Sequence, residues 1–176
     1  MQVRTALAEK GIPYQSHQID PSEKLPEFGG VPVALIDGER VVVESLSILE
    51  YLDEKWPEPP LFPARVGREV VKAACERLNA MFAPHLPRIA HGTPEERVQA
   101  LGATRRSMAD LDGEGAEGGY LLGELSAADL ALASFLANLP RDWRPVQLGF
   151  QRLGRWELTV MSRPTVRDQM AGRVPV

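Results

Sequence analysis

The chain has 176 residues, of which 44% are hydrophobic, and a formal net charge of −4. This length predicts one large or two small domains with a buried core and excludes a mainly disordered chain. The negative charge argues against a nucleic-acid partner bound through overall positive charge. The single cysteine, Cys75, excludes a disulfide framework and a multi-cysteine zinc site. No apolar run approaches the roughly 20 residues that span a membrane, and the first residues lack a signal-peptide pattern, so we expect no membrane partner and a cytoplasmic location.

The front of the chain mixes helical and strand periods. The spacing of its apolar residues predicts a helix that begins at residue 2 or 3, followed by a strand over 14–19. Two β-rich runs, 31–36 and 40–43, flank an Asp-Gly turn and predict a hairpin. A leucine-rich helix over 45–55 follows. This order predicts an α/β layer in which helices pack on a small mixed sheet.

A proline-rich segment over 57–63 divides the chain. It holds four prolines in seven positions, which cannot continue a helix or a central strand. Residues 1–63 carry 11 acids and 5 bases, a net charge of −6, and residues 64–176 carry 13 acids and 15 bases, a net charge of +2. The segment therefore predicts a linker between an N-terminal domain over 1–56 and a C-terminal domain over 64–176.

The rear domain has no convincing strand pair, and its pattern predicts a bundle of helices. A first amphipathic helix extends from 65 to about 90, and two prolines near its end predict a kink or a stop. The residues of this helix that are predicted to face the core are Val70, Ala74, Leu78 and Met81.

Capping patterns mark the later helices. Thr93-Pro94-Glu95-Glu96 predicts the start of a helix that ends near Leu111. The glycine-rich stretch over 112–119 predicts an exposed loop. Ser126 and Asp129 have the spacing of an acidic capping box and predict the start of an apolar helix that ends near 139. A last helix over 150–161 and a final turn after 162–164 complete the chain.

Four segments, in this order, resemble the glutathione transferase superfamily, and the resemblance extends along nearly the whole chain. They are the opening VRTALAEKGIPY, the run from Val31-Pro32 through Glu44-Ser45 to EYLDEKWPEPPLFP, the motif LLGELSAAD over 121–129, and Arg155-Trp156 with SRPTV over 162–166. The resemblance implies a thioredoxin-like N-terminal domain, an all-helical C-terminal domain, a glutathione site between them and usually a homodimer.

The resemblance also implies which residues bind glutathione. The Val31–Pro32 peptide bond is cis in the family, so that the backbone of Val31 pairs with glutathione like an added strand. The alternative is a proline that starts an ordinary strand. Ser45 would hold the γ-glutamyl carboxylate at a helix N-terminus, and Glu44 would hold the ammonium group. The alternative for this pair is a plain helix cap with a solvated neighbour.

The catalytic residue is unknown. In the family a Tyr, Ser or Cys near the first strand lowers the pKa of the glutathione thiol so that a useful fraction is thiolate. The corresponding segment would precede Met1, so we expect the chain to lack the usual first strand and its activating residue. Cys75 is expected to be a small core residue, and no metal-ligand set stands out.

Two classes of function follow from the resemblance. The first is a glutathione transferase, or a related glutathione-dependent isomerase, that joins glutathione as co-substrate to a small hydrophobic electrophile if an activating group is present. By analogy only, the electrophile would lie near Met81, Phe82 and Pro84. The alternative is a non-catalytic or N-terminally truncated member that acts as a binding or interaction module through dimerisation. Candidates for the dimer interface are Leu46, Ile48 and Tyr51.

Overall fold

The computed structural model describes residues 1–17, 33–36, 40–114 and 119–171. Two strands, β1 (Val33–Ile36) and β2 (Arg40–Val43), form an antiparallel pair with Val33 opposite Val43. The helices are α1 (Gln2–Glu9), α2 (Ser45–Lys55), α3 (Arg68–Phe82), α4 (Leu86–His91), α5 (Pro94–Glu114), α6 (Ala127–Leu136), α7 (Gln151–Met161) and α8 (Pro164–Met170). Single 3-10 turns cover Ala83–His85 and Arg141–Trp143.

The N-terminal elements form a small α/β layer, in which α1 packs on α2 and α2 packs on β2. This confirms the predicted helices and the hairpin strands over 33–36 and 40–43, whereas residues 31 and 32 and the turn lie outside the described residues. The predicted strand over 14–19 is wrong for residues 14–17, which have no regular structure. Pro13 lacks a backbone donor there, and the side chains of 15–17 are exposed, so neither pairing nor burial supports a strand. Residues 18 and 19 lie outside the described residues.

The apolar helix α6 forms the centre of the core and packs against α1, α3 and α7. A helix that is apolar on all sides is expected to be buried on all sides. The fully or nearly fully buried apolar residues of α6 are Ala127, Ala128, Leu130, Ala131, Leu132, Ala133 and Leu136.

The predicted core-facing stripe of α3 is displaced by one residue. The buried residues are Val71, Cys75, Leu78 and Phe82, whereas Val70 is 52% exposed. Both stripes have helical spacing and both contain Leu78, so the periodicity of α3 alone does not separate them. The packing of α3 on α6 decides between them.

Helix α5 continues beyond Leu111 into the stretch that was predicted as a loop. One oxygen of Asp112 accepts hydrogen bonds from the backbone N–H groups of Arg152 and Leu153, both at 2.7 Å. Asp112 thus caps the N-terminus of α7 from a different helix, where a carboxylate is favoured by the helix dipole. The side chain of Glu114 pairs with both terminal nitrogens of Arg77 on α3. These two long-range contacts account for the last helical turn of α5.

The residues after Arg163 form a helix, α8, where the sequence predicted only a turn. Arg163 donates two hydrogen bonds to Glu9 at the end of α1, at 2.8 and 2.7 Å, and the Thr165 hydroxyl donates a third. The Glu9 side chain is only 5% exposed. Burial by itself raises the pKa of Glu9, but the hydrogen bonds and the charge of Arg163 outweigh it and hold the pKa below its usual value of 4.5.

Replacing Glu9 with glutamine is expected to lower the thermal stability at neutral pH and to flatten its acid dependence. Because the folded pKa of Glu9 is lowered, its contribution is present above about pH 4.5 and is lost as the pH falls through the folded pKa. Thermal unfolding midpoints between about pH 3 and pH 7 measure this effect. The exposed Glu95→Gln is the control. Identical pH profiles for wild type and Glu9→Gln would refute the assignment.

Candidate functional site

The junction between β2 and α2 contains a residue with an unusual backbone conformation. Glu44 has φ of 66° and ψ of 137°, and positive φ is rare for a residue with a side chain. Its carbonyl oxygen accepts the N–H of Ile48 at 3.0 Å and so closes the first turn of α2. Its side chain is exposed. Strained backbone is tolerated mainly where surrounding structure enforces it, often at binding sites.

The N-terminus of α2 is the predicted site of the γ-glutamyl carboxylate. The helix has 11 residues, and the side chain of its N-cap residue, Glu44, makes no capping hydrogen bond. Ser45, the first residue of α2, is half-buried. Ser47, two residues later in the same helix, is exposed. Free N–H groups and the helix dipole favour a carboxylate at such an end. The structure therefore brings Glu44 and Ser45 together at one helix end, while the predicted Val31 and Pro32 lie outside the described residues.

The three residues assigned by analogy to a substrate pocket differ in their surroundings. Phe82 is fully buried and its ring stacks on Phe135, with 5.8 Å between the ring centroids. Met81 is half-buried, and its carbonyl oxygen accepts the hydroxyl of Ser107 at 3.4 Å. Pro84 is exposed in the 3-10 turn after α3. Phe82 thus contributes to the core, and a substrate role for the three stays a prediction.

Two hydroxyl groups in and just after α1 are held in structural contacts. Thr5 is buried and donates to the carbonyl oxygen of Met1 at 3.2 Å. The Tyr14 hydroxyl accepts a hydrogen bond from Gln169 at 2.9 Å. The Thr5 hydroxyl thus bonds to the backbone at the start of its own helix. The Tyr14 hydroxyl joins the segment after α1 to α8.

Cys75 lies in the core of α3, as the sequence predicts. It is 6% exposed, and burial, followed by the charges of Asp129, Glu76 and Glu50, raises the pKa of its thiol to about 12. Nucleophilic chemistry requires the thiolate, which this environment disfavours. Among the described residues no group of three or more His, Cys, Asp or Glu side chains could hold a metal ion.

Cys75 is expected not to react with dithiobis(nitrobenzoate) in the native protein at about pH 8, because a thiol of pKa about 12 is ionised in only about one molecule in ten thousand. The absorbance of released thionitrobenzoate measures the reaction. One equivalent should appear only after denaturant is added. Rapid release of one equivalent from the native protein would contradict the buried, inert assignment.

Sequence reasoning missed a buried ion pair that fixes α2 and the segment after it. The Lys10 ammonium lies 3.0 Å from an oxygen of Asp53 and donates to the carbonyl oxygens of Trp56 and Pro59, at 2.6 and 2.8 Å. The same Asp53 oxygen accepts the N–H of Leu61 at 2.6 Å. The available signal was an acidic residue directly beside the apolar stripe of α2. Lys10, the partner of Asp53, lies 43 residues away in the sequence, and helical periodicity does not indicate a partner at that distance.

In the part of the chain that the structure describes, no helix is both long enough and apolar enough to cross a membrane.

The structure combines an α/β layer, which has a strained strand–helix junction, with a following bundle of helices. This combination is that of proteins with a thioredoxin-like domain and an all-helical domain. Residues 1–60 match the family described as glutathione S-transferase, N-terminal domain. The stringent starvation protein A homolog of Pasteurella multocida (strain Pm70) is 35% identical over 178 aligned positions, which cover 95% of this chain and 81% of that protein. The chain therefore belongs to the glutathione transferase superfamily.

Two further comparisons extend along almost the whole chain. The FtsZ-localized protein A of Caulobacter vibrioides (strain NA1000 / CB15N) is 28% identical over 202 aligned positions, covering 99% of this chain and 87% of that protein. The solved structure of the bacterial beta class glutathione S-transferase of Sphingomonas chungbukensis has a TM-score of 0.78 at 20% identity, covering 99% of this chain and 94% of that one. The structural comparison shows the shared fold.

Proposed function

We propose that this chain is a non-catalytic member of the superfamily that acts by binding a protein partner. The observation that carries the proposal is its similarity, along most of both chains, to a stringent starvation protein A homolog. A second such relative is named for its localisation to FtsZ. Neither name describes a transferase reaction, and the second describes an association with another protein.

The chemistry of the described residues supports this proposal. The one cysteine is buried with a raised thiol pKa, and the hydroxyls of Thr5 and Tyr14 are used in structural hydrogen bonds. A transferase needs a group that stabilises the glutathione thiolate. The Thr5 and Tyr14 hydroxyls instead bond to the backbone of α1's own start and to Gln169 of α8.

A conjugation assay tests the proposal. The purified chain is mixed with glutathione and a chlorodinitrobenzene, and product absorbance is compared with buffer and with an active glutathione transferase. We expect the rate to equal that of buffer. A rate well above buffer that falls in Ser45→Ala would establish the transferase function and refute the non-catalytic one.

A second candidate function is glutathione binding without turnover. The N-terminus of α2 supports this candidate. The Ser45 hydroxyl and the first N–H groups of α2 would hold the γ-glutamyl carboxylate, and the Glu44 carboxylate would accept hydrogen bonds from the ammonium group. The backbone of Val31, before Pro32, would pair with the cysteinyl unit. The positive φ of Glu44 and the absence of a capping hydrogen bond from its side chain support this arrangement.

Replacing Ser45 with alanine is expected to weaken glutathione binding about tenfold to about 150-fold, since one hydrogen bond to a charged group contributes about 1.5–3 kcal/mol. Isothermal titration calorimetry measures the affinity. Ser47→Ala is the matched control, because Ser47 is exposed on the same helix. If wild type binds no glutathione, this second function fails and the partner-binding proposal still stands.

Homodimerisation remains part of the proposal, by analogy with the fold. Of the three interface candidates on α2, Ile48 is 1% exposed and belongs to the core of a single chain. Leu46 and Tyr51 are half-buried and pack on that core from its edge. They are the remaining candidates.

A further inference from the structure

Helix α8 is the last of the described helices, and it packs on the first, α1, as well as on its neighbour α7. It has only seven residues, and an isolated helix shorter than about 12–15 residues is marginal in water. Val166 and Gln169, on its inner side, are buried. Contacts with the rest of the molecule therefore decide whether α8 is folded.

Polar contacts attach α8, and the residue before it, to the N-terminal layer. Arg163 donates one hydrogen bond to each oxygen of the Glu9 carboxylate, a two-point geometry that is stronger and more specific than a single bond. The Thr165 hydroxyl donates to the same carboxylate. Further along α8, the amide nitrogen of Gln169 donates to the Tyr14 hydroxyl at 2.9 Å. Helix α8 thus reaches from the end of α7 to α1 and to the segment after α1.

The residue after Glu9 makes a second attachment. The Lys10 ammonium pairs with Asp53 in α2 and donates to two carbonyl oxygens of the segment after α2. Leu61, whose N–H donates to the same Asp53 oxygen, accepts the N–H of Ala127 at the start of α6, at 2.8 Å. The end of α1 is therefore joined to α8 through one side chain, and to α2 and the linker through the next.

Both attachments depend on charges that are shielded from solvent. The Lys10 side chain is fully buried, and the Glu9 side chain is almost fully buried. A buried charge that loses its partner is strongly destabilising. Glu9 without Arg163 would be such a charge, so the opening of α8 should loosen the end of α1 at the same time. That loosening would extend to Lys10, and through Asp53 to α2.

We propose that α8 is a strap that holds α1, and with it the N-terminal α/β layer, on the helical bundle. When the strap opens, α8, α1 and α2 lose their ordered contacts together, while α5 and α6 stay folded. Helix α8 thus opens with the N-terminal layer, although the proline-rich linker alone predicts that it belongs with the C-terminal domain. The strap does not depend on the proposed partner binding, so the two proposals fail independently.

Native-state hydrogen exchange, followed by mass spectrometry of proteolytic peptides, tests the strap, because the exchange rate reports local opening. In Arg163→Met, the amides of α1, α2 and α8 are expected to exchange at least about tenfold faster than in wild type, since hydrogen bonds to a charged group are lost. The amides of α5 and α6 should keep their wild-type rates. Arg77→Met is the matched control, because Arg77 also contacts both oxygens of a carboxylate, that of Glu114, but joins α3 to α5 within the bundle. It should leave the exchange of α1, α2 and α8 unchanged.

Three outcomes for Arg163→Met would overturn the proposal. They are unchanged exchange in α1 and α2, acceleration confined to α8, and equal acceleration in α1 and α6, which would indicate only a lower global stability. Glu9→Gln is a milder second variant, since it removes the charge and keeps one acceptor oxygen, and it should give the same pattern with a smaller amplitude. Circular dichroism verifies that each variant is folded, and Glu9→Gln decides the question if Arg163→Met does not fold.

Discussion

Replacing Lys10 with methionine is expected to lower the free energy of unfolding by about 3–5 kcal/mol, since removing one partner of a buried ion pair leaves an uncompensated charge. The Lys10 side chain is fully buried and Asp53 is 8% exposed. Without the ammonium group, Asp53 retains the N–H of Leu61, while the carbonyl oxygens of Trp56 and Pro59 lose their donor. Urea unfolding followed by circular dichroism measures the loss.

Lys72→Met is the control for this substitution. Lys72 pairs with Glu50 at 3.1 Å, but both side chains are partly exposed on α3 and α2. An exposed pair contributes little net stability because its Coulomb attraction is weakened by solvent. We expect a clearly larger effect at Lys10 than at Lys72. Equal effects would show that burial does not distinguish the two pairs.

Replacing Asp129 with alanine is expected to lower the free energy of unfolding by about 3–5 kcal/mol, because several buried donors lose their acceptor together. One Asp129 oxygen accepts the N–H of Leu121 and the indole N–H of Trp156, at 2.9 and 2.8 Å. The other accepts the N–H and the hydroxyl of Ser126, at 2.9 and 3.0 Å. The carboxylate thus joins the start of α6 to α7 in the centre of the core.

Asp129→Asn removes the charge and keeps only one of the two acceptor oxygens of Asp129. Burial raises the pKa of Asp129, while the four donors oppose that rise. Asparagine keeps the shape and one acceptor oxygen, so its loss of stability should be smaller than that of alanine. The exposed Asp110→Ala should have little effect. Urea midpoints for the three variants provide the measurement, and equal losses at Asp129 and Asp110 would contradict this account.

Short-range patterns explain what the sequence predicts well. The Ser126–Asp129 capping box is present as its spacing indicates. Thr93 and Glu96 exchange the two hydrogen bonds of another capping box, at 2.9 and 3.2 Å. Such bonds join residues within one turn, so residue types and spacing suffice to predict them.

Contacts between distant segments explain what the sequence could not predict. Arg163 and Glu9 are 154 residues apart in the sequence. The residue type at either position does not indicate that the other is its partner. The one-residue displacement of the α3 stripe also depends on packing against α6, because Val70 and Val71 are chemically equal candidates. Long-range pairing therefore sets features that local periodicity leaves open.

The candidate site shows the same division between local and distant information. The family resemblance, at a point where a strand meets a helix, implies that Glu44 and Ser45 bind glutathione. The structure places both residues at the N-terminus of α2, and their binding role stays a prediction. The positive φ of Glu44 was not predicted, because glutamate has no intrinsic preference for that conformation.

Ultraviolet difference spectroscopy of glutathione mixed with this chain tests the central claim most directly, since catalysis requires the bound thiol to become a thiolate. The absorbance of the thiolate is recorded from about pH 6 to pH 10, with and without protein. The non-catalytic account predicts the same titration midpoint in both cases. A midpoint lowered by one pH unit or more in the presence of protein would contradict it.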